Sequence, residues 1–236
     1  MPLPLYLAMT AAEISLCNAL PEPLAYMACH FSAYATGLSN LPTELPKGSM
    51  LILNDRVPVS CHDPVRITKQ LKALCAELEV GHLLLDLQRP NVPETARIVN
   101  TILGELTGPV GVSELYAKGL DCPVFLSAPP PYRTLEEHIC PWQGREIWLE
   151  IAPDGCMCTV TEADNRIVPC QSPDAPLMCQ KLHCHYGIEE EPGRINITME
   201  RTWEDLKELL NEAETLGITK AVGLYQQLRA NIRDRL

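Results

Sequence analysis

Short apolar runs that stop abruptly at polar residues recur along the chain. The sharpest is His82 to Pro90, HLLLDLQRP, which ends in Asp86, Gln88 and Arg89. A continuous apolar run reads as a strand buried on both faces, and polar side chains at its far end are where a parallel barrel carries its chemistry. The same design is found in Leu24 to Phe31 (LAYMACHF), Ser49 to Asp55 (SMLILND) and Cys122 to Ala128 (CPVFLSA). Leu3 to Met9, Pro109 to Glu114 and Lys220 to Gln226 supply further strands.

Helical patterns separate these runs. Thr10 with Glu13 forms a capping box opening a short helix through Leu20, and Asp63-Pro64 starts an amphipathic helix to Leu78. Pro93 to Leu106, a short turn over Ser113 to Leu120, Trp203 to Leu216 capped by Thr202, and a closing Leu228 to Leu236 complete the set. Ser32 to Pro46, rich in Gly, Asn and Pro, reads as a long loop with a broken helix. Alternation at this spacing predicts βαβ units and a single α/β domain over residues 1–236, a (β/α)8 TIM-type barrel. A β-hairpin insertion is expected at about 140–200. One hairpin turns at Pro153-Asp154-Gly155 and the other joins His183 to Glu189 with Arg194 to Glu200. Either Ile147 to Ile151 or Leu182 to Ile188 serves as the seventh barrel strand.

Net charge is -11 with a sequence pI near 5.0, which argues against nucleic acid and anionic membranes as partners and leaves neutral or cationic small ligands open. Eleven cysteines, odd in number and scattered, suit a reducing, cytoplasmic setting in which Cys packs as a small hydrophobe. The N-terminal run lacks the basic flank of a signal peptide, and no apolar run has the length of a membrane helix. Asn196-Ile-Thr198, without a secretory signal, is read as a chance glycosylation match.

In such a barrel the C-terminal rim collects His30, Asp55, Asp86 and Gln88, then Glu114, Ser127, Glu150 and Tyr225. Each has a plainer reading as well: Asp at a strand end caps the next helix, and His30 can be a hydrogen-bonded core histidine. Leu84, Asp86 and Gln88 stand at the three spacings of the D-x-D-x-E pattern on the fourth barrel strand of glycoside hydrolase family 18, and the chain resembles that chitinase family there. The resemblance implies a rim that binds a small polar or saccharide ligand. It also implies a damaged acid position, because the family's Glu protonates the leaving oxygen and Gln88 has no titrating proton. On that reading Asp86 and Gln88 bond hydroxyls, Arg89 and Glu114 orient the ligand, and Tyr225 is the stacking platform. HFSAY, GLSNLP, HDP, LLLDLQRP and GLYQQL also resemble an uncharacterised bacterial family, which implies no activity.

Alternatives stay open. An active hydrolase could use Asp86 paired with Glu114 or Glu150, one carboxyl held neutral by burial. A non-catalytic partner-binding or structural protein is the third reading. Cys156-x-Cys158 with His183-Cys184-His185 suggests zinc, but the spacing is poor and packing is preferred, so no metal and no cofactor is expected. Cys61-His62-Asp63 invites a nucleophile reading, with Asp63 as helix cap the better one. Phosphate-binding glycine motifs are absent from the sequence, and Trp203 reads as a core anchor, with Trp142 and Trp148 open as sugar-stacking residues.

Overall fold

The computed structural model describes residues 2–34, 37–59, 62–90, 92–170 and 175–232. The first strands are β1 (Leu5–Met9), β2 (Leu24–Phe31), the two-residue β3 (Leu38–Ser39) and β4 (Met50–Asn54). They are followed by β5 (His82–Asp86), β6 (Val110–Ser113), β7 (Val124–Leu126) and β8 (Ile147–Ile151). After an insertion, β14 (Lys220–Leu224) completes the sheet. Apart from β3, which runs antiparallel against the end of β2, these strands are parallel, and β1 pairs with both β2 and β14. The sheet therefore closes into an eight-stranded (β/α)8-type barrel, as the strand–helix alternation predicts.

Period two along each strand sorts the side chains into two cores. Met50 and Ile52 on β4, Leu84 on β5, Phe125 on β7 and Trp148 on β8 fill the barrel interior. The intervening positions, such as Leu51, Leu53, Leu83 and Leu85, pack outward in a second core with Ile67 and Leu71 of α2 (Pro64–Glu77) and Ile98 and Ile102 of α3 (Pro93–Glu105). Each fully buried Leu or Ile contributes about 2 kcal/mol of transfer free energy. The barrel's N-terminal end is closed by a polar cluster. Tyr6 Oη lies 3.1 Å from His82 Nδ1, and the Lys220 ammonium sits 4.7 Å above the Trp148 ring. Burial, helped by Lys220, holds His82 below the usual imidazole range.

The connections are uneven. α1 (Ala11–Leu16), with its Thr10–Glu13 capping box, stops short of Leu20, while α4 (Glu114–Ala117) and α5 (Leu135–Ile139) are single turns. Asp63 caps α2 through the Val65 amide, which settles its plainer reading, and Cys61 lies outside the described residues. Between β2 and β4 the described residues hold β3 and no helix.

The seventh barrel strand is Ile147–Ile151. That overturns the hairpin at Pro153-Asp154-Gly155: β8 pairs with β7 and β14, whereas β9 (Gly155–Thr161) pairs with β10 (Asn165–Cys170) and β13 (Arg194–Glu200). The Asp-Gly step leads out of the barrel into a second sheet, completed by β11 (Leu177–Cys179) and β12 (Cys184–Glu191). The other expected hairpin is present, with Glu191 opposite Arg194 across Pro192-Gly193 and Gly193 at φ +74°. One face of this sheet is apolar, and Ile167, Leu177, Ile188 and Ile195 on it are exposed. The chain returns to the barrel through α6 (Trp203–Thr215), β14 and α7 (Tyr225–Ile232). Among the described residues no helix is long and apolar enough to cross a membrane.

Candidate functional site

At the C-terminal rim, beyond the ends of β1, β2, β4 and β5, lies a cavity of about 650 Å³. Its lining includes His30, Asp55, Asp86, Gln88 and Arg89, all expected from sequence, together with Thr10, Asn40, Asn54 and Arg56, which were not. Parity along β4 is the signal that finds Asn54: Met50 and Ile52 point into the barrel, so the next inward residue is Asn54 and its neighbour Asp55 points away.

That parity explains what Asp55 does. It is 4% exposed, and its two carboxylate oxygens accept the backbone N–H groups of Gln88 at 3.0 Å and Arg89 at 2.8 Å. The Arg89 guanidinium folds back onto the carbonyls of Asp55 and Arg56. Both residues thus build the turn that follows β5, and their charged groups are engaged before any ligand arrives.

The turn presents Gln88 beside Asp86. Gln88 Nε2 donates to Asp86 Oδ1, so the position expected to supply an acid holds an amide bonded to the neighbouring carboxylate. Burial, with Asp55 nearby, raises the Asp86 carboxyl above the usual range, and the Gln88 hydrogen bond opposes the shift. On the β2 wall, His30 Nδ1 is 2.7 Å from the Phe31 carbonyl and Nε2 is 3.1 Å from Asn40 Nδ2. The ring proton is therefore assigned to Nδ1, leaving Nε2 as acceptor. Asn54 donates to the Met27 carbonyl at 2.9 Å and accepts the Arg56 amide at 3.1 Å.

The remaining expected residues sit elsewhere on the rim. Glu150, inward by parity with Trp148 on β8, accepts the Ala128 amide at 3.3 Å. Its carboxyl is raised by burial first and then by the charges of Asp86 and Asp154. Glu114 is the first residue of α4 and accepts from Ser127 Oγ at 3.1 Å, while His138 lies 2.9 Å from the Ser127 carbonyl. Asp86 and Glu150 both stand at inward positions of their strands, Glu150 outside the lining of the cavity, and Glu114 belongs to a separate cluster. Tyr225 is corrected from strand to helix: β14 ends at Leu224, and Tyr225 opens α7, packs against the outer core and accepts a long thiol contact from Cys17 at 3.7 Å. It does not line the cavity.

Partners are also visible for other residues singled out in the sequence. His183 and His185 lie 2.8 Å and 2.9 Å from the α6 carboxylates Glu212 and Asp205, and no group of three or more metal-ligating side chains occurs among the described residues. Trp148 is wholly buried in the barrel, so it stacks on nothing external. Sequence reading also passed over Arg201. It is 3% exposed, and its guanidinium donates to the carbonyls of Pro129, Pro130, Leu182 and His183, joining the second sheet to the loop after β7.

Comparison with solved structures identifies the architecture. The spore cortex-lytic enzyme SleL of Bacillus cereus superposes with a TM-score of 0.58 at 11% identity, over 98% of this chain and 74% of that one. A chitinase from Chromobacterium violaceum ATCC 12472 gives 0.54 at 8% identity, over 94% and 93%. The fold is a TIM-type barrel like those of these two enzymes. At these identities the likeness concerns the backbone alone. No protein-family model and no curated protein matches the sequence.

Proposed function

We propose that this glycoside-hydrolase-like barrel binds a small polar or saccharide ligand in the rim cavity and that position 88 does not turn it over. The observation that carries the reading is the Asp86–Gln88 pair at a cavity of about 650 Å³, large enough for a short oligosaccharide. Asp86 Oδ2, Gln88 Oε1 and the Asn40 side-chain carbonyl are open acceptors for ligand hydroxyls, and the exposed Arg56 is an open donor. An amide holds the shape and hydrogen bonding of a carboxyl but transfers no proton to a leaving oxygen.

The test is isothermal titration of the protein against chitin, peptidoglycan and plant-glycan oligosaccharides, in parallel with Asp86→Ala and Gln88→Glu. Binding lost in the first variant and hydrolysis gained in the second is the expected pair of results. Absence of binding by every form removes the reading.

A second reading has a specific observation behind it. Asp86 and Glu150 stand at inward positions of β5 and β8; burial raises both, with Asp55 pushing Asp86 further and Asp86 and Asp154 pushing Glu150 further. One member of such a pair stays protonated to higher pH and can act as general acid while the other acts as base or nucleophile. Turnover by the unmodified protein with a bell-shaped pH profile, abolished in Glu150→Gln, favours this reading over binding alone.

A further inference from the structure

The second sheet carries four free thiols on its apolar face. Its register puts Cys156 and Cys158 of β9, Cys179 of β11 and Cys184 of β12 on the side that also bears Ile188 and Met199. Thiols that only pack need no partner, but two of these stand directly opposite one another: Cys179 is the cross-strand partner of Cys184. Cα atoms of such partners lie about 4.5–5.5 Å apart, inside the span of about 4.4–6.8 Å that a disulfide bridges, and their Cβ atoms have to close by about 1 Å. The other thiols are worse placed. Cys156 and Cys158 point the same way about 6.7 Å apart on one strand, and β13 separates β9 from β12 by about 9.5 Å. The short β11 can supply the closing movement, because it is a three-residue edge strand paired with β12 alone among the described residues. Cys179 is half-buried on the wall of a cavity of about 610 Å³ that Cys184 also lines. Cys184 is fully buried, and burial pushes its thiol up to about 11 against the opposing charge of Arg201. A reagent entering the cavity therefore meets Cys179 first.

We propose that Cys179 and Cys184 form a thiol–disulfide exchange site, oxidised by a small-molecule disulfide such as oxidised glutathione to a cross-strand link that staples β11 to β12. The Cys179 thiolate attacks one sulfur of the glutathione disulfide, which breaks the S–S bond, forms a mixed disulfide at Cys179 and releases one glutathione. Cys184 then attacks the Cys179 sulfur, forming the protein disulfide and expelling the second glutathione. Two cysteine thiols are oxidised, one glutathione disulfide is reduced, and the two cysteine protons end on the two glutathione sulfurs. The link closes the short loop 180–183, whose Leu182 and His183 carbonyls accept from the Arg201 guanidinium. Arg201 also holds the Pro129 and Pro130 carbonyls of the loop after β7, so the oxidised hairpin is fixed at the point where the second sheet is anchored to the barrel. The thiol pair is separate from the rim cavity and its chemistry is independent of what that cavity binds.

The experiment incubates the folded full chain with oxidised glutathione at mildly alkaline pH, blocks remaining thiols, and maps the tryptic digest by mass spectrometry without reduction. Lys181 lies between the two cysteines, so cleavage there and at Arg166 and Arg194 leaves residues 167–181 joined to 182–194 through sulfur alone. Cys170 shares the first of these peptides, and Cys170→Ser and Cys179→Ser are carried alongside, with thermal melts confirming that each is folded. The expected result is a linked peptide pair, two hydrogens lighter than the sum of its reduced parts. It persists in Cys170→Ser, disappears in Cys179→Ser and is reversed by excess reduced glutathione. Hydrogen exchange in β11 slows in the linked form, since the strand can no longer fray from β12. A stable glutathione adduct on Cys179 without the link overturns the proposal, as does a link that depends on Cys170. Recovery of both thiols unreacted, when the same reagent oxidises the urea-unfolded chain, overturns it too.

Discussion

Replacing Asp55 with Ala removes the group that ties β4 to the turn after β5. Both of its oxygens accept backbone N–H groups, from Gln88 at 3.0 Å and Arg89 at 2.8 Å, at a side chain that is 4% exposed. A buried donor left without a partner costs about 1–3 kcal/mol, and bonds to a charged acceptor sit in the upper part of that span. Two such donors give about 2–6 kcal/mol, reduced because Gln88 and Arg89 are exposed and water reaches the vacated space. The expected loss is about 3 kcal/mol, a large share of a typical domain's 5–15 kcal/mol. Urea unfolding followed by Trp fluorescence reads it. Asp55→Asn discriminates further, since one oxygen keeps one amide while its NH2 group faces the other, and about half the loss remains. A shift under about 0.5 kcal/mol for the alanine variant, the range of an ordinary surface change, refutes the assignment of Asp55 as the clamp of the Gln88 turn.

Gly111→Ala places a Cβ 2.3 Å from Trp148 Cε3, inside a ring held by its own N–H bond to Glu146, so overpacking of about 3 kcal/mol or outright misfolding is expected on urea unfolding. Arg201→Met leaves carbonyls of the β7 loop and the second sheet unpaired; hydrogen exchange then rises in β12 and β13 while the barrel strands stay protected. Glu150→Gln tests the raised carboxyl: a carboxyl with a higher pKa folded than unfolded makes wild-type stability fall as pH rises from about 4 through the folded value. The amide variant therefore gains stability relative to wild type near neutral pH and loses that gain in acid, measured as the difference in melting temperature across the range.

The barrel was legible because each strand is a short apolar run and each longer helix has a start signal, a side-chain cap in α2 and α6 and Pro93 in α3, and an apolar stripe, all local signals. The second sheet was half legible. The β12–β13 hairpin declares itself by Pro192-Gly193 at a two-residue turn, but Asp154-Gly155 carries the same chemistry while leading from one sheet into another. Turn residues report a local backbone path and say nothing about which strands will pair. The site follows the same division. Asp86 and Gln88 were found from a strand end, whereas Asn54 needed parity, and the roles of Asp55 and Arg201 depend on backbone groups distant in sequence, 33 residues away for Gln88 and 72 for Pro129. Tyr225 was misplaced by a single residue, since nothing in GLYQ marks Leu224 as the end of the strand.

The central claim is that ligand binds at Asp86 and Gln88, and a crystal structure of the protein soaked with the oligosaccharide of highest affinity tests it most directly. Sugar density within hydrogen-bonding distance of Asp86 and Gln88, with the glycosidic bond intact, is the expected result. Density confined to the apolar face of the second sheet, or a cavity holding only water at saturating ligand, contradicts it.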